Sequence, residues 1–208
     1  MPERQKQKTG ETVDGRTLRA EENRRKVARA MLDLIREGML QPTREQVAER
    51  ARLSLRSVYH HYGNLEDLYQ ETCRIQFASI HHLVNDLPQA AGASLPARVE
   101  AFVAMRVELY ERIAPVRRSA MIWVHRSPTL AQGIAGLSET MRKQLAGTFE
   151  AELQGLDEAR RETLLDTLEM TTSWEAWDFL LDRKGFAVER VRRALSTAML
   201  SLLETLAS

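Results

Sequence analysis

The 208 residues carry 30 Lys/Arg against 29 Asp/Glu, a formal charge of +1, and 43% of them are hydrophobic. That is enough apolar material for one or two compact units and too much for a disordered chain. Cys73 is the only cysteine, which excludes an intramolecular disulfide and a cysteine-based zinc site and suits a reducing compartment.

The start MPERQKQKTGETVDGR is charged throughout, and nowhere does an uninterrupted apolar run approach about 18 residues. Neither secretion nor a membrane span is expected, and the cytoplasm is the expected compartment. The near-neutral total hides an asymmetry: residues 1–65 hold 14 Lys/Arg against 9 Asp/Glu, and residues 66–208 hold 16 against 20. A polyanion would bind the basic third.

Only 10 glycines and 6 prolines punctuate the chain, and strict apolar/polar alternation is absent, so the fold class is read as all-α with about nine helices. Residues 1–20, with Arg4, Lys6, Lys8, Arg16 and Arg19, read as a basic flexible arm. A first helix over about 21–37 places Val27, Ala30, Met31, Leu34 and Ile35 on one stripe and stops at Gly38. Thr43 with Gln46 three residues on has the spacing of a capping box and opens a short helix to about 51. Ser54 caps another, over about 54–62, and Gly63 ends it. Asn64, followed by Glu66 and Asp67, starts a long fourth helix to about 87.

The segment PQAAGASLP between Pro88 and Pro96 is the clearest loop. Beyond it, helices are expected over about 96–113, 115–126, 128–153, 157–183 and 187–206, with breaks at Pro115, Pro128, Gly155 and Gly185. The last two carry apolar residues on two stripes. One in 157–183 is formed by Leu165, Leu168, Thr172, Ala176 and Phe179, and the other by Met170, Trp174, Trp177 and Leu181. A helix apolar on two sides needs two surfaces to pack against.

The two short helices are joined by Arg52, Leu53 and Ser54. Val47, Ala48, Ala51, Leu53 and Val58 supply small and aliphatic contacts between them, which is helix-turn-helix spacing. The run TREQVAERARLSLRSVYHHYGNLEDLY then resembles the signature of the TetR family of bacterial transcriptional regulators, approximately T...IA..AGVS.GTLY.HF..KE.L. The matching positions are Thr43, Val47, Ala48, Ala51, Leu53, Ser54, Val58, Tyr59, His61, Tyr62, Glu66 and Leu68, within roughly residues 24–69. Two positions depart from it: Arg52 stands where the family has a turn glycine, and Leu65 where it has a phosphate-contacting lysine.

The resemblance implies a three-helix DNA-binding domain over 21–69 and a larger helical ligand-binding and dimerisation domain over 70–208. It also implies roles for individual residues. Thr43 and Arg44 at a helix N-terminus look like phosphate contacts, as against a plain cap and a solvated arginine. Tyr59 is either a phosphate-contacting hydroxyl or a packed core tyrosine, and Tyr62 is a core residue. Ser54, Leu55, Arg56 and Ser57 begin the recognition helix, where Arg56 reads a guanine or touches phosphate. His60 points outward and His61 packs on the first helix.

Phe102, Met105, Tyr110, Met121, Trp123, Met141, Trp174 and Trp177 are candidates to line a cavity in the second domain, the alternative being ordinary core. The implied partners are double-stranded operator DNA, a second copy of the chain through about 157–206, and a small, largely apolar effector. No cofactor and no metal is expected, because His81, His82 and His125 lack acids or thiols at ligand spacing. Ser57, His60 and His61 do not make an enzyme either, without a glycine-rich nucleophile turn, phosphate loop or metal cluster. The expected function is a ligand-responsive repressor acting as a dimer on a palindromic site. The alternative is a DNA-binding protein of the same fold governed by protein partners or organising the chromosome.

Overall fold

The computed structural model describes residues 15–86 and 92–206. Among these there is no strand, and the all-α expectation of about nine helices is met. The helices are α1 (Gly15–Arg36), α2 (Arg44–Ala51), α3 (Leu55–His61), α4 (Leu65–Asn85), α5 (Leu95–Trp123), α6 (Pro128–Thr148), α7 (Glu150–Leu153), α8 (Glu158–Thr171), α9 (Trp174–Asp178) and α10 (Val188–Leu206). They form two compact units that divide between Thr72 and Cys73, inside α4. Arg4, Lys6 and Lys8 of the expected arm lie outside the described residues, whereas Arg16 and Arg19 are part of α1.

In the first unit the local chemistry foreseen at each helix start is present. Thr43 Oγ1 accepts from the Gln46 N–H at 3.3 Å while Gln46 Oε1 accepts from the Thr43 N–H at 2.8 Å, closing the capping box of α2. Ser54 Oγ accepts from Ser57 N–H at 3.1 Å to cap α3, and Asn64 Oδ1 accepts from Asp67 N–H at 2.7 Å to cap α4. The apolar face of α1 is buried, with Val27, Met31 and Ile35 at 0% exposure, and the helix packs on α2 and α3, where Val47 and Val58 are also at 0%.

The turn between α2 and α3 is a Schellman closure built on arginine. Arg52 sits at φ 55°, ψ 43°; its N–H donates to the Glu49 carbonyl at 3.1 Å, and the Leu53 N–H donates to the Ala48 carbonyl at 3.0 Å. It is the one non-glycine with positive φ among the described residues. A side chain in that region costs about 1–2 kcal/mol, partly offset because glycine loses about 0.5–1 kcal/mol more backbone entropy on folding. Arg52→Gly is therefore expected to raise stability by about 0.5–1 kcal/mol, read as a higher urea midpoint at unchanged slope. A lower midpoint would show the arginine stabilising the turn by another route.

The second unit is organised around α5. Its buried residues, Val99, Phe102, Val103, Arg106, Val107, Tyr110, Ile113 and Ala114 among them, recur at three- and four-residue spacing and form one broad inward face. It packs on α10 and α6, and α8 packs on both of those. Ion pairs tie the layers. Arg98 clasps Glu152 with both guanidinium ends, and Arg142 of α6 reaches Glu162, Asp166 and Glu169 along α8 at 2.7, 2.8 and 2.6 Å. The Glu169 hydrogen bond is the largest cause holding the Arg142 guanidinium above its ordinary range.

Three expected boundaries are corrected by the fold. Pro115 does not break the chain: α5 runs unbroken from Leu95 to Trp123 with Pro115 inside. Proline removes one ladder bond at about 3 kcal/mol, but Ile113, Ala114 and Val116 around it are all buried. Gln76, itself 4% exposed, donates to the Arg112 carbonyl in the same turn at 3.1 Å. Conversely, the helix expected over 157–183 is divided, because Ser173 leaves helical geometry and its hydroxyl caps α9 by accepting from Ala176 N–H at 3.1 Å. The expected 128–153 helix is likewise divided at Phe149, between α6 and α7.

The break at Ser173 changes the phase of everything after it. Trp177 turns inward at 1% exposure, whereas Phe179 is 45% and Met170 67% exposed. The stripe that was to join Met170 with Trp177 does not exist as one face.

Candidate nucleic-acid interface and core cavity

Helix α3 presents two sides. Val58 is buried, while Arg56, Tyr59 and His60, spaced i, i+3 and i+4, are exposed on the opposite side together with Ser54. Leu55 and Ser57 are half-buried beside them. Tyr62 is core, as expected: it is 1% exposed, its hydroxyl donates to the Arg24 carbonyl at 3.1 Å, and the Arg24 guanidinium lies 4.4 Å over its ring. Arg24 also donates to the His61 carbonyl at 2.9 Å, so α1 holds the end of α3 in place. Burial, with the nearby His60 and Arg24 charges, keeps His61 below the usual histidine pKa.

Arg44 and Tyr59 come together. The guanidinium stacks 4.7 Å from the centre of the tyrosine ring, and Nη2 makes a long contact of 3.5 Å to the Gly63 carbonyl. Tyr59 is 48% exposed, so of the two roles open to it the packed-core one is not what the fold provides. The pair leaves a hydroxyl and guanidinium donors beside the N-terminus of α2, where the helix dipole also favours negative charge. Arg56 has no ion pair or hydrogen bond among the described residues, so its charge is uncommitted. Arg50, by contrast, is spent on Glu37 at 2.8 and 2.6 Å, and that hydrogen bond holds the Glu37 carboxyl below its usual range. Leu65 is half-buried and offers no donor.

The second unit contains a cavity of about 100 Å³ between α5, α6, α8 and the start of α9. Of the eight residues singled out from sequence, Tyr110, Met141 and Trp174 line it. Trp177 supports them from behind, its ring 5.0 Å from Trp174 and 5.7 Å from Tyr110. Phe102 is fully buried against Phe149, and Met105 packs on the core with its sulfur 3.6 Å from Gln144 Nε2. Met121 is 41% exposed at the end of α5, and neither it nor Trp123 lines the cavity.

Sequence reasoning missed the charged part of the lining: Arg106, Arg117, Glu169 and Glu175. Arg106 had a signal, since it occupies the inward stripe Phe102, Arg106, Tyr110, Ile113 at helical spacing, where an arginine is out of pattern. Tyr110 is completely enclosed and its hydroxyl donates to the Thr172 carbonyl at 2.5 Å; burial pushes its pKa well up, so it stays a neutral donor. Among the described residues no three His, Cys, Asp or Glu side chains gather as a metal site, and no helix is long and apolar enough to cross a membrane.

No protein-family model matches the sequence, and no curated protein does. The fold is similar to two solved structures. One is a transcriptional regulator from a Rhodococcus species, at 21% identity and a TM-score of 0.67, covering 87% of this chain and 96% of that one. The other is a candidate transcriptional regulator from Streptomyces coelicolor, at 17% identity and a TM-score of 0.53, covering 86% of this chain and 98% of that one. At these identities the likeness is one of architecture, and it extends over nearly the whole length: this chain shares their fold.

Proposed function

We propose that this chain is a DNA-binding transcriptional regulator of the TetR type, a repressor that binds a palindromic operator as a homodimer and leaves it when a small molecule enters the second unit. The observation that carries the reading is the exposed side of α3 with its uncommitted Arg56, next to the stacked Arg44 and Tyr59 at the start of α2. Thr43, Arg44 and Tyr59 would position the protein on phosphates, and Ser54, Leu55, Arg56, Ser57 and His60 would face the major groove. Met170 and Phe179, large apolar groups left exposed in the single chain, support pairing through the region 157–206.

The route from cavity to reading head begins on α6. Met141 lines the cavity, and one turn on, Gln144 Nε2 donates to the Leu83 and Asp86 carbonyls at 3.2 and 2.5 Å, at the far end of the helix that begins after α3. An effector that moves α6 biases α4 between two positions, which is a population shift. Gln144→Leu is expected to leave operator affinity within about twofold while shrinking the effector response by about 5-fold or more, measured by fluorescence anisotropy on labelled operator.

Selection of bound DNA from a random-sequence pool, repeated with candidate effectors, tests the whole reading. A palindromic consensus supports it, and retention of no sequence above background would sink it. A second reading, a regulator of this fold without a small-molecule effector, is favoured by the modest size of the cavity, since drug-sized sites occupy about 300–1,000 Å³. It requires operator binding that no small molecule alters.

A further inference from the structure

The charges around the cavity are not matched one to one. Glu169 accepts from Arg142 Nη1 at 2.6 Å, a guanidinium it shares with Glu162 and Asp166, and Glu175 accepts from Arg117 Nη2 at 3.4 Å. Arg106 makes no ion pair of this kind, and the Glu169 charge acts on it only through space. It is 2% exposed, its Nη2 donates to the Met141 carbonyl at 2.8 Å, and its guanidinium lies 4.7 Å from the centre of the Phe102 ring. Nε and Nη1 are buried with no acceptor among the described residues.

An arginine cannot shed its proton to escape this position, although burial draws its pKa down. A buried cation with two unanswered donors is among the costliest arrangements in a protein interior. Nearby, Arg117 Nε is buried without an acceptor as well. Three guanidinium nitrogens at the cavity, Nε and Nη1 of Arg106 and Nε of Arg117, therefore have no acceptor among the described residues.

Much of the remaining lining is apolar and aromatic: Tyr110 and Trp174 meet edge to face at 5.8 Å, with Ile113 and Met141 also on the cavity. A ligand that answers Arg106 and fills this wall is an anion at one end and a compact hydrocarbon at the other. The limited volume restricts that body to about one ring or a short branched chain.

We propose that Arg106, with Tyr110 and Trp174, forms a binding site for a small monocarboxylate with a compact apolar body. The site rests on the effector reading above only for its regulatory consequence; binding itself follows from the cavity. Arg106 gives the carboxylate charge-assisted hydrogen bonds, the unanswered Nε of Arg117 offers a further donor, and the two rings hold the body. Glu169 is held by Arg142, which also pairs with Glu162 and Asp166, and Glu175 is held by Arg117. An ammonium compound would meet the buried Arg106 charge and is disfavoured.

The test uses the full chain and three matched sets: benzoate, benzyl alcohol and benzylamine; phenylacetate, phenethyl alcohol and phenethylamine; isobutyrate, isobutanol and isobutylamine. Binding is followed by calorimetry and by tryptophan fluorescence, which senses Trp174. At least one carboxylate is expected to bind about 10-fold or more tightly than its alcohol, with the amine weakest. Arg106→Met is expected to erase that preference. Thermal melting reports whether the variant folds; if it does not, Arg117→Gln, expected to weaken carboxylate binding several-fold, and the wild-type selectivity still decide. Alcohols or amines binding as well as carboxylates, or no carboxylate binding at about 10 mM, overturns the site. Carboxylate binding without operator release upholds the site and removes its regulatory role. Operator release by neutral or cationic compounds alone overturns the site and leaves the regulator reading intact.

Discussion

Trp177→Ala is expected to lower the unfolding free energy by about 3–5 kcal/mol, the range of buried aromatic truncations. Trp177 is 1% exposed and among the largest fully enclosed side chains of the second unit, packed at 5.0 Å on Trp174 and 5.7 Å on Tyr110. Alanine would leave a void beside an already open cavity, and the two remaining rings cannot collapse into it without uncovering the cavity wall. Its indole Nε1 is buried without an acceptor, so part of the native contact energy is already lost to an unmade hydrogen bond.

That orphan N–H sharpens the prediction. Trp177→Phe removes the unsatisfied donor together with some volume, and is expected to cost less than about 1.5 kcal/mol. Urea denaturation of the three proteins checks both figures. A phenylalanine variant as unstable as the alanine variant would mean that the indole volume, and not the polar mismatch, dominates the site.

Arg56→Ala is expected to weaken binding to the selected operator by about 1–3 kcal/mol, roughly 5- to 150-fold, with most of the loss confined to the cognate sequence. The variant is a clean probe: Arg56 is exposed and makes no ion pair or hydrogen bond among the described residues, so removing it disturbs no contact of the fold. Arg44→Ala should behave differently. Its guanidinium is stacked on Tyr59 beside a helix N-terminus, a phosphate-type position, and its loss should weaken all sequences alike and reduce the salt slope by about 1. Competition binding against random duplex at several salt concentrations separates the two. Equal losses on operator and random DNA for Arg56→Ala would reassign it to the phosphate backbone.

The legible parts of the molecule were those with local causes. The starts of α2, α3 and α4 follow from Thr43 with Gln46, Ser54 and Asn64, because a cap is a hydrogen bond spanning three residues and can be read from those residues. The left-handed turn at Arg52 was signalled only through the family resemblance, which has a glycine at that position. The exposed side of α3 needed only the anchoring of Val58 and a helical period.

The cavity was not legible, because none of its defining contacts is local. Arg106 meets the Met141 carbonyl 35 residues on, and Tyr110 meets the Thr172 carbonyl 62 residues on. An aromatic inventory placed Met121 and Trp123 with Trp174, whereas their exposure and neighbours depend on where α5 ends relative to α6 and α8. The sequence by itself determined the helical class, the helix starts and the faces of the short helices, since hydrogen bonds and periodicity within a few residues suffice for these. Only the tertiary structure decided that α5 continues through Pro115, that Ser173 re-phases the residues from Trp174 onward, and that an arginine is buried without an acid. Those outcomes depend on how much apolar surface distant segments bury together, and that burial outweighs local preference by several kcal/mol.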